Sequence, residues 1–143
     1  MSKIAVVYWS GTGNTEAMAY YVAEGAKAAG AEVDTFTSAE FTTDKAAEYP
    51  AIAFGCPSMG AEQLEETEFE PMFEEVKASL SGKNIGLFGS YGWGDGEWMR
   101  NWVDQMKNAG ADVIGGEDAI CADAPDDETE AKLVELGKQL AAC

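Results

Sequence analysis

Apolar residues recur along this chain in two rhythms. Ile4-Ala-Val-Val-Tyr-Trp9, Ala51-Ile-Ala-Phe-Gly55 and Asn84-Ile-Gly-Leu-Phe-Gly89 are short and nearly continuous, as strands covered on both faces must be. Glu32–Phe36 and Ala111–Gly115 read as two further strands. Between the runs the period lengthens. Met18, Val22 and Ala26 recur at helical spacing, as do Trp98, Trp102 and Met106, then Leu133, Leu136 and Leu140. Gly30, Gly82 and Gly110 each follow such a stretch, where a helix ends, and a fainter helical turn precedes Pro50. The acidic stretch Asp123–Glu130, which contains Pro125, reads as a loop into the last helix. Alternating strands and helices predict an α/β fold in three layers, a five-stranded parallel sheet with helices on both faces. No linker or repeat divides residues 1–143, so a single domain is expected.

In such a sheet, ligands bind outside the carboxyl ends of the strands where the strand order reverses. The loop after the first strand is Ser10-Gly-Thr-Gly-Asn-Thr15. A helix start leaves backbone N–H groups without partners and carries partial positive charge, so it suits an anion. Gly11 and Gly13 let those groups converge, while Ser10, Thr12, Asn14 and Thr15 add short donors. A plain helix cap needs fewer polar residues than this. The loop reads as a phosphate cradle held by dipoles, since it contains no Lys or Arg. With the order 2-1-3-4-5, the loops Cys56–Glu62 and Ser90–Gly96 stand beside it. Trp93 there offers a flat face to a heteroaromatic ring, a contact worth roughly 0.5–1.5 kcal/mol beyond area burial. Tyr91 either does the same or packs inward. Across from them, Pro57 stiffens the approach, Met59 offers a polarizable thioether, and Gly60 permits a turn.

Ser10-Gly-Thr-Gly-Asn-Thr15, Gly55-Cys-Pro-Ser-Met-Gly60, Leu64-Glu-Glu-Thr-Glu-Phe-Glu-Pro71 and Gly86-Leu-Phe-Gly-Ser-Tyr-Gly-Trp-Gly-Asp-Gly96 together resemble a short-chain flavodoxin, along essentially the whole chain. The resemblance implies the flavodoxin-like sheet order 2-1-3-4-5, non-covalent FMN, and low-potential one-electron transfer between redox enzymes through oxidised, semiquinone and hydroquinone states. It implies an electron carrier rather than an enzyme. By resemblance, Ser10, Gly11, Thr12, Gly13, Asn14 and Thr15 hold the phosphate. Pro57, Ser58, Met59, Gly60, Glu62, Ser90, Tyr91, Gly92, Trp93 and Gly94 surround the ring, with Met59 and Trp93 flanking it. The Met59–Gly60 peptide would turn its carbonyl towards flavin N5 when the semiquinone forms, and Glu62 would bond the ring near N3. Relatives often carry an acid after the Met-Gly pair, where this chain has Ala61. Several carboxylates near the ring would lower its potential by on the order of 100 mV, disfavouring added negative charge.

Charge then narrows the class. Nine basic residues stand against 26 acidic ones, for a net charge of −17, and there is no histidine. Such a chain repels nucleic acid and anionic membranes and favours basic partners. Reductases and acceptor oxidoreductases with basic surfaces, docking transiently, are the expected partners. The glutamates from Glu62 to Glu75 are either a solvated helix face or a docking collar for them. Without histidine there is no Ser–His or Cys–His pair and no imidazole metal ligand. Cys56, Cys121 and Cys143 have no iron–sulfur spacing and suit a reducing cytoplasm. A monomer is expected, with neither membrane span nor metal. Rival readings fail on particular residues. A dinucleotide site needs glycine where Glu16 stands, and a P-loop needs G-K-[ST]. A phosphorelay receiver needs paired acids where this chain has Trp9-Ser10. A flavin-dependent NAD(P)H oxidoreductase on the same fold needs a nicotinamide pocket, supplied by extra segments or a partner subunit; this chain has no insertion large enough to build one, which favours a carrier. A cofactor-free interaction module would not turn yellow with flavin.

Overall fold

A computed structural model of the chain describes residues 3–9, 13–57, 68–91, 97–114, 119–122 and 126–142. In chain order these form β1 (Lys3–Tyr8), α1 (Asn14–Ala28), β2 (Glu32–Thr37), a 3-10 turn at Ser38–Glu40, α2 (Thr43–Ala46) and β3 (Ala51–Gly55). Then come α3 (Phe69–Val76), a 3-10 turn at Lys77–Ser79, β4 (Asn84–Tyr91), α4 (Glu97–Asn108), β5 (Asp112–Ile114), β6 (Ile120–Ala122) and α5 (Asp127–Ala141). The order across the sheet is β2-β1-β3-β4-β5 and every pairing is parallel, as expected.

The edge differs from the expectation of one strand at Ala111–Gly115. β5 pairs with the start of β4 and β6 with its end. Asn84 faces Asp112 and Gly89 faces Ile120, so the neighbour spends eight residues where β4 spends five. The residues after Ile114 are Gly-Gly-Glu-Asp, which have little preference for a pleated strand. The return of β6 has a consequence for β4. Ser90 and Tyr91, expected in a loop, gain strand partners in Cys121 and Ala122, and β4 extends to include them.

Two helices also begin earlier than expected. α1 starts at Asn14, within the stretch Ser10–Thr15 read as a loop. The stretch Asp123–Glu130 is not loop throughout, because α5 starts at Asp127. Asp126 caps it, accepting from the Thr129 N–H at 2.8 Å and the Thr129 hydroxyl at 2.7 Å. Acids in a first turn face unpaired N–H groups and the positive end of the helix dipole, which favours helix here over coil. The fainter turn before Pro50 is α2, capped by Thr42.

Alternation along the strands sends residues to two separate cores. Ala5, Val7, Ile52, Phe54, Ile85 and Leu87 face α3 and α4. Ile4, Val6, Ala51, Ala53 and Phe88 face α1 and α5. Helices return antiparallel to the strands, so their N-termini gather at the carboxyl ends of β1, β3 and β4. That rim is where the predicted loops leave the sheet.

Candidate functional site

The ends of β1, β3 and β4 are laced together before the loops begin. The Trp9 N–H donates to the Gly55 carbonyl at 3.0 Å, and the Cys56 N–H donates to the Phe88 carbonyl at 3.2 Å. α1 opens directly above this rim. Its cap position is Gly13, at φ +94° and ψ −10°, a left-handed conformation that strains any residue with a Cβ. Glycine brings no side-chain acceptor to the first-turn N–H groups, and the space a Cβ would take there is open to beyond 4 Å. Among the described residues no side chain caps this helix start.

One turn below, Thr15 is 1% exposed, and its hydroxyl faces that of Ser90, which is 5% exposed, at 3.4 Å. Ser90 is held in place by the β4–β6 pairing. Two hydroxyls 75 residues apart thus join the cradle to the stem of the third loop. Asn14 is half-buried on the first turn. Glu16 is engaged sideways, accepting from the Tyr8 hydroxyl at 3.2 Å. Partial burial, then this bond to Glu16, raises the Tyr8 phenol above its ordinary pKa. Tyr8 therefore stays a neutral donor throughout the physiological range.

The second and third stems meet below the rim. Pro57 is half-buried and its carbonyl accepts from the Cys56 thiol at 3.5 Å. Tyr91 is half-buried and packs against Trp98, with ring centroids 5.5 Å apart and tilted by 57°. Of the predicted residues, Gly13, Asn14, Thr15, Pro57, Ser90 and Tyr91 thus lie at adjacent strand ends. Ser10, Gly11, Thr12, Ser58, Met59, Gly60, Glu62, Gly92, Trp93 and Gly94 lie outside the described residues. Trp98 and Gly89 were not predicted as part of the site. The helical stripe identifies Trp98 as core, but nothing in it signals that the buried indole N–H donates to the Cys56 carbonyl at 3.2 Å. Gly89 gives a weak signal, a glycine inside a strand pattern, which often marks close backbone approach.

A groove of about 370 Å³ lies elsewhere, between α5 and the divided edge, over Leu87, Ile114, Ala119 and Leu136. It runs along α5 from Glu128 in the first turn to Gln139 and no hydroxyl among the described residues lines it, so the strand-end rim is the better candidate despite the groove's volume. Among the described residues no cluster of acids or thiols is suited to a metal ion.

The comparisons with known proteins agree with this geometry. The flavodoxin family model matches residues 6–136. The chain belongs to the flavodoxin family. It is 47% identical over 138 residues to the flavodoxin of Megasphaera elsdenii, covering 96% of this chain and 98% of that one. To the flavodoxin of Clostridium beijerinckii it is 43% identical over 136 residues, covering 95% and 97%. The solution structure of two-electron reduced Megasphaera elsdenii flavodoxin superposes with a TM-score of 0.86 at 43% identity, covering 98% of this chain and 99% of that one. As a flavodoxin, the protein binds FMN and carries electrons between redox partners; it is not an enzyme. The described residues fit that cofactor. A glycine-capped helix start suits a phosphate, and the hydroxyls of Thr15 and Ser90 lie close to it.

Proposed function

We propose that the FMN phosphate sits over the start of α1, held by Ser10, Gly11, Thr12, Gly13, Asn14 and Thr15. The ring then lies between the segment Pro57, Ser58, Met59, Gly60 and Glu62 and the segment Ser90, Tyr91, Gly92, Trp93 and Gly94. The observation that carries this reading is the Thr15–Ser90 hydroxyl contact at 3.4 Å, which brings the stems of the first and third segments together. FMN supplies the one-electron chemistry; the chain binds, orients and shields it. In this reading the Thr15 hydroxyl donates upward to a phosphate oxygen while Ser90 satisfies it from below. Backbone N–H groups at the helix start share the remaining charge.

The distribution of charge supports docking of basic partners at this rim. First turns carry acids: Glu16 on α1, Glu70 on α3, and Asp127, Glu128 and Glu130 on α5. Last turns carry Lys27, Lys107 and Lys138. Lys3 and Lys83 add to the opposite end, at the starts of β1 and β4. The helix starts at this rim thus carry acids while their far ends carry lysines, a bias that would steer a positively charged reductase or acceptor oxidoreductase towards the proposed cofactor. Glu70, Glu74 and Glu75 point outward from α3 while Phe69, Met72, Phe73 and Val76 are buried. We place the protein in the cytoplasm as a single-domain monomer. Cys56 and Cys121 are buried thiols, which suit a reducing compartment. Tyr20 is the exposed large hydrophobic side chain among the described residues, which leaves little apolar surface for self-association. No helix among those residues is long and apolar enough to cross a membrane.

The test uses FMN and riboflavin, which differ only in the phosphate. Titrated into the apoprotein, Thr15→Val should bind FMN about tenfold or more weakly, the loss of one charge-assisted hydrogen bond, and riboflavin as well as the parent does. Equal losses for both ligands would remove Thr15 from the phosphate seat. Electron transfer to a basic reductase should slow as salt rises from low to physiological strength. A salt-independent rate would refute the docking pole.

A further inference from the structure

Trp98 stands on the first turn of α4, 2% exposed, directly beneath the ends of β3 and β4. Its indole N–H donates to the Cys56 carbonyl at 3.2 Å. The Cys56 N–H still belongs to the sheet ladder, donating to Phe88. Cys56 is thus the residue at which the second stem leaves the sheet, and its carbonyl is fixed by a side chain. The other side of the same indole packs on Tyr91, the last residue of β4, at a centroid distance of 5.5 Å. Gly89 makes the junction possible. A Cβ there would lie 2.2 Å from the Cys56 carbonyl oxygen and 3.2 Å from Trp98 Cζ2.

One helical turn further, Trp102 provides a contrast within the same helix. It is fully buried, yet its indole N–H has no hydrogen-bond partner among the described residues, and its ring meets Phe69 edge-on at 5.3 Å and 89°. A buried tryptophan that only fills space is content with aromatic neighbours. Trp98 differs in that its polar atom is spent on one carbonyl at a strand end.

We propose that Trp98 is a positioning residue for the flavin ring, clamping the stems of both ring-holding segments at once: the N–H fixes Cys56 ahead of Pro57–Glu62, and the ring braces Tyr91 ahead of Gly92–Gly94. The inference rests on the seating of the ring proposed above. The physical effect is preorganisation. Without the clamp the two stems vary in spacing, only part of the apoprotein population presents both segments in register, and affinity falls in proportion to that fraction. The contacts of Trp98 are with Cys56 and Tyr91 at the stems of the ring segments, so its influence is expected at the ring end.

Trp98→Phe keeps an aromatic ring against Tyr91 and removes the N–H. Trp102→Phe removes an N–H that has no partner among the described residues and serves as the matched core control. On titration of the apoproteins, W98F should weaken FMN and riboflavin alike by about fivefold, the range of one neutral hydrogen bond. W102F should stay within about twofold of the parent for both. At saturating FMN, visible circular dichroism of the bound flavin reports how the ring is held and does not depend on folded stability. It should change in W98F and match the parent in W102F. If W98F does not fold, benzothienylalanine at position 98 keeps the two-ring shape without the donor and should give the same two signatures. Parent-like affinity and dichroism in the donor-free protein would overturn the proposal, as would equal changes in W98F and W102F. Weakening of FMN with riboflavin untouched would also overturn it, by placing the effect at the phosphate. The Thr15→Val result is independent of all these outcomes, so failure here leaves the phosphate seat standing.

Discussion

On the α3–α4 side of the sheet, Phe54, Phe69, Phe73 and Trp102 meet edge to face with centroids 5.3–6.4 Å apart. On the α1–α5 side the sheet offers Ala51, Ala53 and Gly86, and the helices press against each other through glycine. A Cβ on Gly25 would lie 2.0 Å from the Val134 carbonyl oxygen, and one on Gly137 would lie 2.1 Å from that of Val22. One layer is filled by volume and the other by the absence of it. The difference bears on the site. α1, whose start forms the proposed phosphate seat, is located by backbone against backbone, which leaves little freedom to shift. The aromatic layer ends in Trp98, under the ring segments. α1 and α5 differ in turn at their starts, α5 being capped by its own Asp126 and α1 by a glycine without a side chain.

If the two layers are held as described, truncation should injure one and enlargement the other. Phe73→Ala removes a fully buried ring that touches Phe54, Phe69 and Trp102. It should destabilise by about 4 kcal/mol in urea unfolding, a cavity the rigid neighbours cannot close. A loss under about 1 kcal/mol would show that the aromatic layer repacks freely. Gly137→Ala, normally favourable in a helix by about 1 kcal/mol, should instead cost about 2 kcal/mol, because the obstacle is backbone and the helices must part. Stabilisation by that change would refute the close contact. Gly55→Ala is a milder intrusion on the same face. Its Cβ would meet the Phe88 ring at 2.1 Å, and a ring tip turns aside more readily than a carbonyl, so about 1 kcal/mol is expected. A cost above that of Gly137→Ala would reverse the ranking of side-chain and backbone obstacles.

The smallest effect separates the two helix caps. The Thr129 hydroxyl and then the Thr129 N–H lower the Asp126 pKa below its ordinary value. The unfolded chain therefore takes up this proton at higher pH than the folded one, and the cap's contribution is complete above the ordinary Asp range. It is lost as pH falls through the lowered folded value. Asp126→Asn keeps an acceptor but cannot titrate, so its midpoint deficit against the parent at pH 6 should shrink as pH is taken below about 4. A deficit that does not vary with pH would show that the carboxylate charge is irrelevant to the cap.

Much of this was readable without coordinates. Continuous runs such as Ala51–Gly55 announce strands buried on both faces, because this depends on local chemistry that repeats wherever the pattern occurs. The edge was misread for the opposite reason. Asp112–Ile114 and Ile120–Ala122 are too short to announce themselves, and each is a strand only because β4 offers it a ladder. The same partnership drew Ser90 and Tyr91 out of the expected loop and into the sheet.

Alternation, helix period, glycine-rich turns and the excess of acid belong to the chain itself, and with its motifs they sufficed for the layer architecture and the family. Contacts between residues far apart in the chain do not belong to any segment. That Thr15 faces Ser90, that Gly25 and Gly137 receive each other's helices, and that the Trp98 indole finds the Cys56 carbonyl while that of Trp102 finds none among the described residues were decided only when the layers closed. Hydrogen bonds and close packing act over a few ångströms, and only the folded chain says which atoms come that near.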